Sequence, residues 1–277
     1  MKYIDTSTYE SLKRDVMQFL NLTEENLKSI YASLLIEDNE QEWVEKYIEN
    51  MKIEESLDYI QFFHLTRRLN GSNIVENNNL EQLLLHESPL SDFFKRYNIT
   101  FRKNGRHIDM YHNDELKILD DQDRYERGNV SYLRLRLGYN DNQDYCVNGL
   151  AFRTNIENNG YFRPLRICPE FVEQVGELID NTRIAYEYRN NSKYYCIEYL
   201  IPLSDVIIDG YKLDEPVQNK IIVFLSKSIV KLYDYWLDDI KNIISYHDDN
   251  LVLRLSDDAN INPEWVKNIE EIPDEKY

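Results

Sequence analysis

The chain has few of the residues that build a covalent or metal-held framework. It contains only three cysteines in 277 residues, Cys146, Cys168 and Cys196, and no two of them lie within four positions of each other. This spacing excludes a CxxC redox pair and a zinc knuckle. An odd number of cysteines without an export signal is typical of a reducing compartment. We therefore expect a cytoplasmic protein with no disulfide framework and no metal site.

Long apolar runs are also missing. The longest are segments such as IIVFL at 221–225, whereas a membrane-spanning helix needs about 20 apolar residues. The first 15 residues, MKYIDTSTYESLKRD, contain no apolar segment of the kind that a signal peptide requires. The sequence predicts no membrane contact.

Positive charge is scarce, since 32 Lys and Arg stand against 50 Asp and Glu, for a net charge of −18. The excess of acid lies at the two ends, with a net −7 over residues 1–57 and −8 over residues 205–277. Binding to phosphates requires Lys and Arg, so this balance disfavours a nucleic-acid partner. It favours a basic protein partner, or serves solubility.

The middle of the chain is the exception. Residues 124–168 carry seven arginines, no lysine and four acids, for a net charge of +3. Arginine suits bidentate contacts to phosphate, and pairing with the acidic ends of the same chain is the alternative. The arginines are Arg124, Arg127, Arg134, Arg136, Arg153, Arg163 and Arg166.

The periodicity predicts an α+β fold. We expect a helical N-terminal preface over residues 1–57, and over residues 58–277 a split, mostly antiparallel sheet core that ends in a long helix and a strand. No linker-like segment separates the two parts, so we expect one compact unit. Predicted strands are DYIQFFHLT, the hairpin ITFRKNGRHIDMYH, SYLRLRLG, DYCVNGLAF, KYYCIEYLI and LVLRL. Predicted helices after the preface are NNNLEQLLLH, PLSDFFKRY, PEFVEQVGELID and a long one within 216–245, and the acidic tail is expected to fray.

Three short motifs could carry chemistry. His64 and Thr66 alternate onto one face of an aromatic strand, where an imidazole and a hydroxyl can bind sugar hydroxyls and an amide. Glu198 lies within an aromatic and aliphatic strand, where a carboxylate is rarely buried unless it is paired or functional. Tyr161 follows Gly160 and could stack on a flat ring. The alternatives are a core histidine, a solvent-facing edge glutamate and a tyrosine that packs in a loop.

In this order the motifs resemble the ADP-ribosyltransferase superfamily, in its branch with a His…Tyr…Glu triad. The matching segments are HLT at 64–66, NIVENNNLEQLLLHES at 73–88 and CIEYLIPLSDV at 196–206. The resemblance covers about residues 60–210 and implies an enzyme that cleaves NAD and transfers ADP-ribose to a macromolecule. Proteins of this kind serve as toxins, or as factors of phage defence and mobile elements.

The resemblance also implies roles for individual residues. His64 would hold the nicotinamide ribose and amide with support from Thr66, and Tyr161 would stack on nicotinamide. Glu198 would anchor the ribose and favour its oxocarbenium-like transition state. The NAD diphosphate would be held by arginines. The candidates are Arg67, Arg68 and the 134–166 set that includes Arg163, and Tyr132, Tyr139 and Tyr145 compete with Tyr161 for the middle position.

The main alternative is a non-catalytic acidic protein, such as a viral or mobile-element inhibitor, that binds a basic protein partner. Other catalytic classes lack their motifs, because the chain contains neither G-x-x-x-x-G-K-[ST] nor G-x-S-x-G. His107 and His112 lie five residues apart on a predicted strand and therefore on opposite faces, which disfavours a shared metal.

Overall fold

A computed structural model describes residues 2–51, 53, 55–119, 130–139, 143–212, 214–241 and 250–274. Residues 120–129, with Arg124 and Arg127, lie outside these residues, as does the predicted helical segment at 242–245. Within the described ranges, no helix is both long enough and apolar enough to cross a membrane.

The N-terminal preface consists of three helices, as the sequence predicts. They are α1 (Tyr9–Phe19), α2 (Glu24–Leu34) and α3 (Glu40–Glu49). Thr8 and Thr23 begin the first two with capping boxes, in which each threonine side chain accepts from a backbone N–H one turn into the helix. Asn39 caps the third helix.

The prediction of an α+β fold with a mostly antiparallel sheet is confirmed. Six strands form the larger sheet in the order β7-β8-β5-β1-β6-β9, and three form a smaller sheet in the order β2-β3-β4. The strands of the larger sheet are β1 (Tyr59–Leu69), β5 (Asn148–Leu150), β6 (Ser192–Pro202), β7 (Ile207–Ile208), β8 (Val252–Arg254) and β9 (Val266–Ile272). The smaller sheet contains β2 (Ile99–Asn104), β3 (His107–His112) and β4 (Glu115–Leu116), and the predicted Asn-Gly hairpin joins β2 to β3.

The remaining helices are α4 to α10. Pro89 occupies the first turn of α5, and Pro169 precedes α8, so both prolines sit where a missing N–H costs nothing. The bounds are α4 (Leu80–Leu85), α5 (Pro89–Lys95), α6 (Val130–Arg136), α7 (Phe162–Ile167), α8 (Glu170–Leu178), α9 (Arg183–Asn190) and α10 (Val217–Lys241).

Two local predictions are wrong. The segment SYLRLRLG forms α6 rather than a strand, because Val130, Leu133 and Leu137 recur at helical spacing and bury one stripe. The acidic tail does not fray from its start, since Val266–Ile272 forms β9 beside β6. The apolar residues of β9 recur every third position, which hides a strand whose side chains alternate every second position.

The chain divides into two compact units that interleave in sequence. The first unit comprises Met1–Phe63, Gly149–Asn159 and Tyr199–Arg254, and the second comprises His64–Asn148, Gly160–Glu198 and Leu255–Tyr277. In the first unit, α1 and α3 pack against α10. In the second, an aromatic and aliphatic core joins the β2–β3 hairpin to α5, α6, α8 and α9.

Candidate functional site

Two pairs of side chains fix which faces of β1 and β6 coincide. Arg67 on β1 donates from Nε to Oγ of Ser192 on β6 at 2.8 Å, so these two side chains share a face. Further along the same strands, the rings of Phe62 and Tyr199 form an edge-to-face pair with centroids 6.3 Å apart, so these two side chains share the other face. In each pair, one residue has an odd number and the other an even number. Odd-numbered positions of β1 therefore share a face with even-numbered positions of β6.

This parity separates His64 from Glu198. His64 lies three positions before Arg67, and in a strand an odd step changes the face. Glu198 lies six positions after Ser192 and therefore stays on the face of Ser192 and Arg67. The imidazole and the carboxylate project from opposite faces of the sheet. The structure does not bring the two predicted catalytic groups to one sugar.

The face that carries His64 also carries Thr66 and Arg68, and all three side chains are partly exposed. Nδ1 of His64 lies 2.6 Å from the carbonyl oxygen of Asn148. Because a carbonyl only accepts, Nδ1 carries the proton and Nε2 keeps its lone pair. Burial, with added repulsion from Arg68, lowers the pKa of His64 to about 3. Arg68 in turn donates to the side-chain oxygen of Asn77.

The face that carries Glu198 is more deeply buried. Glu198 is 9% exposed, and its carboxylate lies 2.8 Å from Nζ of Lys267 on β9. A buried carboxylate of this kind is accounted for by an ion pair within the protein. This ion pair links β6 to β9 and gives Glu198 a structural role.

Arg67 has its donors occupied within the protein. Its guanidinium makes two hydrogen bonds to the carboxylate of Asp274, at 2.9 and 2.8 Å, and donates to the carbonyl oxygens of Arg166, Arg189 and Ser192. A guanidinium has five N–H groups, and the bond from Nε to Ser192 brings the number of hydrogen bonds to six, so one N–H is shared between two acceptors. None is left for the diphosphate of NAD.

Tyr161 directly precedes α7 and Arg163 lies within it, and the sequence did not indicate this helix. The hydroxyl of Tyr194 on β6 donates to the carbonyl oxygen of Phe162 at 3.0 Å, which holds α7 on the same face as Glu198. Tyr161 is 63% exposed and Arg163 is exposed too. The predicted residues therefore fall into two sets on opposite faces, one with His64, Thr66 and Arg68, the other with Arg67, Tyr161, Arg163 and Glu198.

The competing tyrosines serve the second unit. Tyr145 is buried and donates to the carbonyl oxygens of Arg106 and Leu137 at 3.2 and 3.1 Å. The hydroxyl of Tyr139 donates to Asp109 at 2.6 Å. Burial raises the pKa of Tyr132 to about 12. The contacts and burial of these three tyrosines indicate structural roles.

The arginine-rich stretch is paired within its own neighbourhood. Arg136 meets Asp144 at 2.9 Å, and Arg153 meets Glu157 at 2.6 Å. Arg134 donates to the carbonyl oxygen of Leu119 and lies over a tyrosine ring. These contacts are local, whereas the sequence-based alternative was pairing with the acidic ends of the chain.

One group of side chains has the composition of a metal site. The ligand atoms of Asp144, Cys146 and Asp257 lie within 4.8 Å of one another in the second unit. Asp144 is bonded to Arg136, and Asp257 accepts from the backbone N–H groups of residues 145 and 146 at 2.8 and 3.1 Å. Burial raises the pKa of the Cys146 thiol to about 12, so the thiolate that a metal needs is disfavoured. The hydrogen bonds explain the cluster without an ion.

No family profile, curated protein or solved structure matches the chain.

The first unit contains a surface that the motif analysis missed. At the end of α2, Leu35 and Ile36 expose 54% and 84% of their surface. The acids Glu37, Asp38, Glu40 and Glu42 follow them directly and lead into α3. We name these six residues, Leu35, Ile36, Glu37, Asp38, Glu40 and Glu42, the acidic patch. A sequence signal was present, since two large apolar residues stand beyond the last buried position of the α2 stripe and precede a run of acids.

Proposed function

We propose that the chain is a non-catalytic interaction protein that binds a basic protein partner through the acidic patch. The observation that carries this proposal is the exposure of Leu35 and Ile36, at 54% and 84%, directly beside Glu37 and Asp38. An apolar centre with a charged rim is the composition of a protein-binding surface.

The charge around the acidic patch is of one sign. Between Lys28 and Lys46 the chain has five acids and no base. Within the patch, Glu42 meets Lys46 at 2.6 Å, but both side chains are more than half exposed, so this pair neutralises the surface only weakly. The patch lies between the C-terminus of α2, whose dipole adds negative potential near Glu37 and Asp38, and the N-terminus of α3, whose positive end stabilises Glu40 and Glu42.

The net charge of the first unit adds to the negative potential at the acidic patch. The first unit contains 24 acidic and 13 basic residues, a net charge of −11. Such a field attracts a basic partner over a distance and speeds its association. It repels nucleic acid, whose phosphates carry the same sign.

The partner would have a matching arrangement. We expect an apolar anchor that covers Leu35 and Ile36, flanked by lysines or arginines that face Glu37 and Asp38. The three cysteines are buried free thiols, which supports the cytoplasmic location that the sequence predicts for this interaction.

The test is affinity capture with matched variants. Wild-type protein, Glu37→Lys/Asp38→Lys and Ile36→Ser are immobilised, and bound basic proteins are identified at low and at moderate salt. We expect the wild type to retain one basic protein that both variants lose, and salt to weaken its capture, because exposed charges are screened.

The control reverses the same number of charges elsewhere. Glu115→Lys/Glu173→Lys changes two exposed acids of the second unit and should keep the captured protein. Equal loss in this control and in the patch variant would mean that only net charge matters. If the amount of captured protein changes neither with salt nor in the two patch variants, the proposed surface is excluded.

NAD chemistry is the competing proposal, and it rests on the order of the sequence motifs. Its support in the structure is limited to the partly exposed face of β1, where a neutral His64 stands beside Thr66 and Arg68. The separation of Glu198 from this face favours binding over NAD cleavage.

A further inference from the structure

Among the residues that the structure describes, strand β9 forms an edge of the larger sheet. It is the last strand in the order, with β6 on one side. None of its seven residues is buried, and four are exposed. The outer backbone N–H and C=O groups of an edge strand can pair with a further strand, which makes such an edge a template for association.

The chain holds β9 firmly in its extended form. Lys267 is bonded to Glu198 at 2.8 Å, and Lys193 is bonded to Glu271 at 2.9 Å. Beyond the strand, Asp274 is bound by two hydrogen bonds from Arg67. A strand that is already ordered at both ends loses little conformational entropy when another strand joins it.

The sequence of β9, VKNIEEI, is complementary to itself when two copies run antiparallel around Ile269. In this register Lys267 of each copy stands opposite Glu271 of the other, and Val266 stands opposite Ile272. Ile269 faces its own equivalent on the twofold axis. Opposite charges and paired apolar side chains across neighbouring strands each stabilise a sheet.

The neighbouring antiparallel registers are worse. An axis at Asn268 would put Val266 opposite Glu270 and Lys267 opposite Ile269. An axis at Glu270 would put two like charges directly opposite each other, which destabilises the pair. Of these three registers, only the one with its axis at Ile269 places opposite charges across from each other and apolar residues across from apolar residues.

We propose that β9 is a docking edge for a second copy of this chain, which pairs antiparallel about Ile269 and continues the sheet across a twofold axis. The arrangement is isologous, so the same seven residues serve both copies and the assembly closes at two. Pro273 follows the strand and has no N–H, which limits the ladder to β9 itself. This interface is separate from the acidic patch and does not depend on it.

The first test measures mass in solution and uses a charge swap. Sedimentation equilibrium of the full chain should show a species of twice 33.3 kDa as concentration rises. Glu271→Lys places a second lysine opposite Lys267 and should weaken dimerisation at least about tenfold, since two such pairs are lost. Lys267→Glu combined with Glu271→Lys restores the match across the axis and should restore the dimer.

The swap separates the two roles of these charges. The double variant still lacks the internal pairs to Glu198 and Lys193, so a merely structural role would not be rescued. Circular dichroism and thermal melting confirm that each variant is folded. A wild type that stays monomeric at all concentrations would overturn the proposal, as would a dimer that Glu271→Lys leaves unchanged.

The second test locates the axis. Ile269→Cys should form a disulfide-linked dimer under a mild oxidant, because position 269 alone faces its own equivalent. Glu270→Cys, whose neighbour across the axis is Asn268, should cross-link much less. The three native cysteines are buried and provide a low background. Equal cross-linking at both positions would contradict the register.

Discussion

Arg67 and Asp274 are joined by two parallel hydrogen bonds of 2.9 and 2.8 Å, although 207 residues separate them in the chain. The side chain of Arg67 is fully buried, whereas that of Asp274 is 42% exposed. The Arg67 guanidinium lowers the pKa of the Asp274 carboxyl below its usual value. The pair closes the second unit by tying the segment after β9 to β1.

The two partners should differ in their effect on stability. We expect Arg67→Ala to lower the free energy of unfolding by about 3 kcal/mol or more, because it leaves several buried acceptors without donors. Asp274→Asn should cost about 1 kcal/mol or less, since the exposed carboxylate can be replaced by water. Urea unfolding of the two variants measures the difference, and equal losses would contradict the structural role of Arg67.

The low pKa of His64 predicts a pH dependence. The folded-state pKa of about 3 lies below the unfolded value of about 6.5, so the unfolded chain binds the proton first as the pH falls. Stability from the neutral imidazole is complete above pH 6.5 and is lost progressively below it. At about pH 5 the loss should reach about 1–2 kcal/mol, allowing for the partial exposure of the side chain.

His64→Asn is the matched comparison, because its amide can still donate to the carbonyl oxygen of Asn148 and does not titrate. The free energy of unfolding should fall more in the wild type than in this variant between neutral pH and about pH 5. An identical fall in both proteins would show that His64 titrates normally.

A substitution at Gly149 should cause a packing defect that a second substitution, at Phe62, partly relieves. A Cβ added at this position would meet the ring of Phe62 on the neighbouring strand. We expect Gly149→Ala to destabilise the protein by about 1–3 kcal/mol through overpacking. Phe62→Leu in the same chain should recover part of that loss, and a double-mutant cycle measures the coupling. Additive effects of the two changes would rule out the contact.

Much of the fold could be predicted from local signals. Thr8, Thr23 and Pro89 mark helix starts by capping chemistry, and Asn104-Gly105 marks a hairpin, because each acts within a few residues. The alternating pattern of aromatic residues predicts strand β1. These signals do not depend on the rest of the structure.

The failures have a common physical origin. In α6, three leucines at every second position satisfy a strand pattern and a helix pattern at once, and only packing in the second unit decides between them. The separation of His64 from Glu198 depends on the register of two distant strands, in which a one-residue shift exchanges the faces. No spacing within either motif contains that information.

We propose that this chain works by binding a partner and not by cleaving NAD. The most direct measurement is the melting temperature of the wild type, His64→Ala and Glu198→Ala during titration with NAD, since a ligand that binds only the folded state must raise it. We predict no NAD-dependent rise in any of the three proteins. A saturable rise in the wild type that both substitutions abolish would contradict the account.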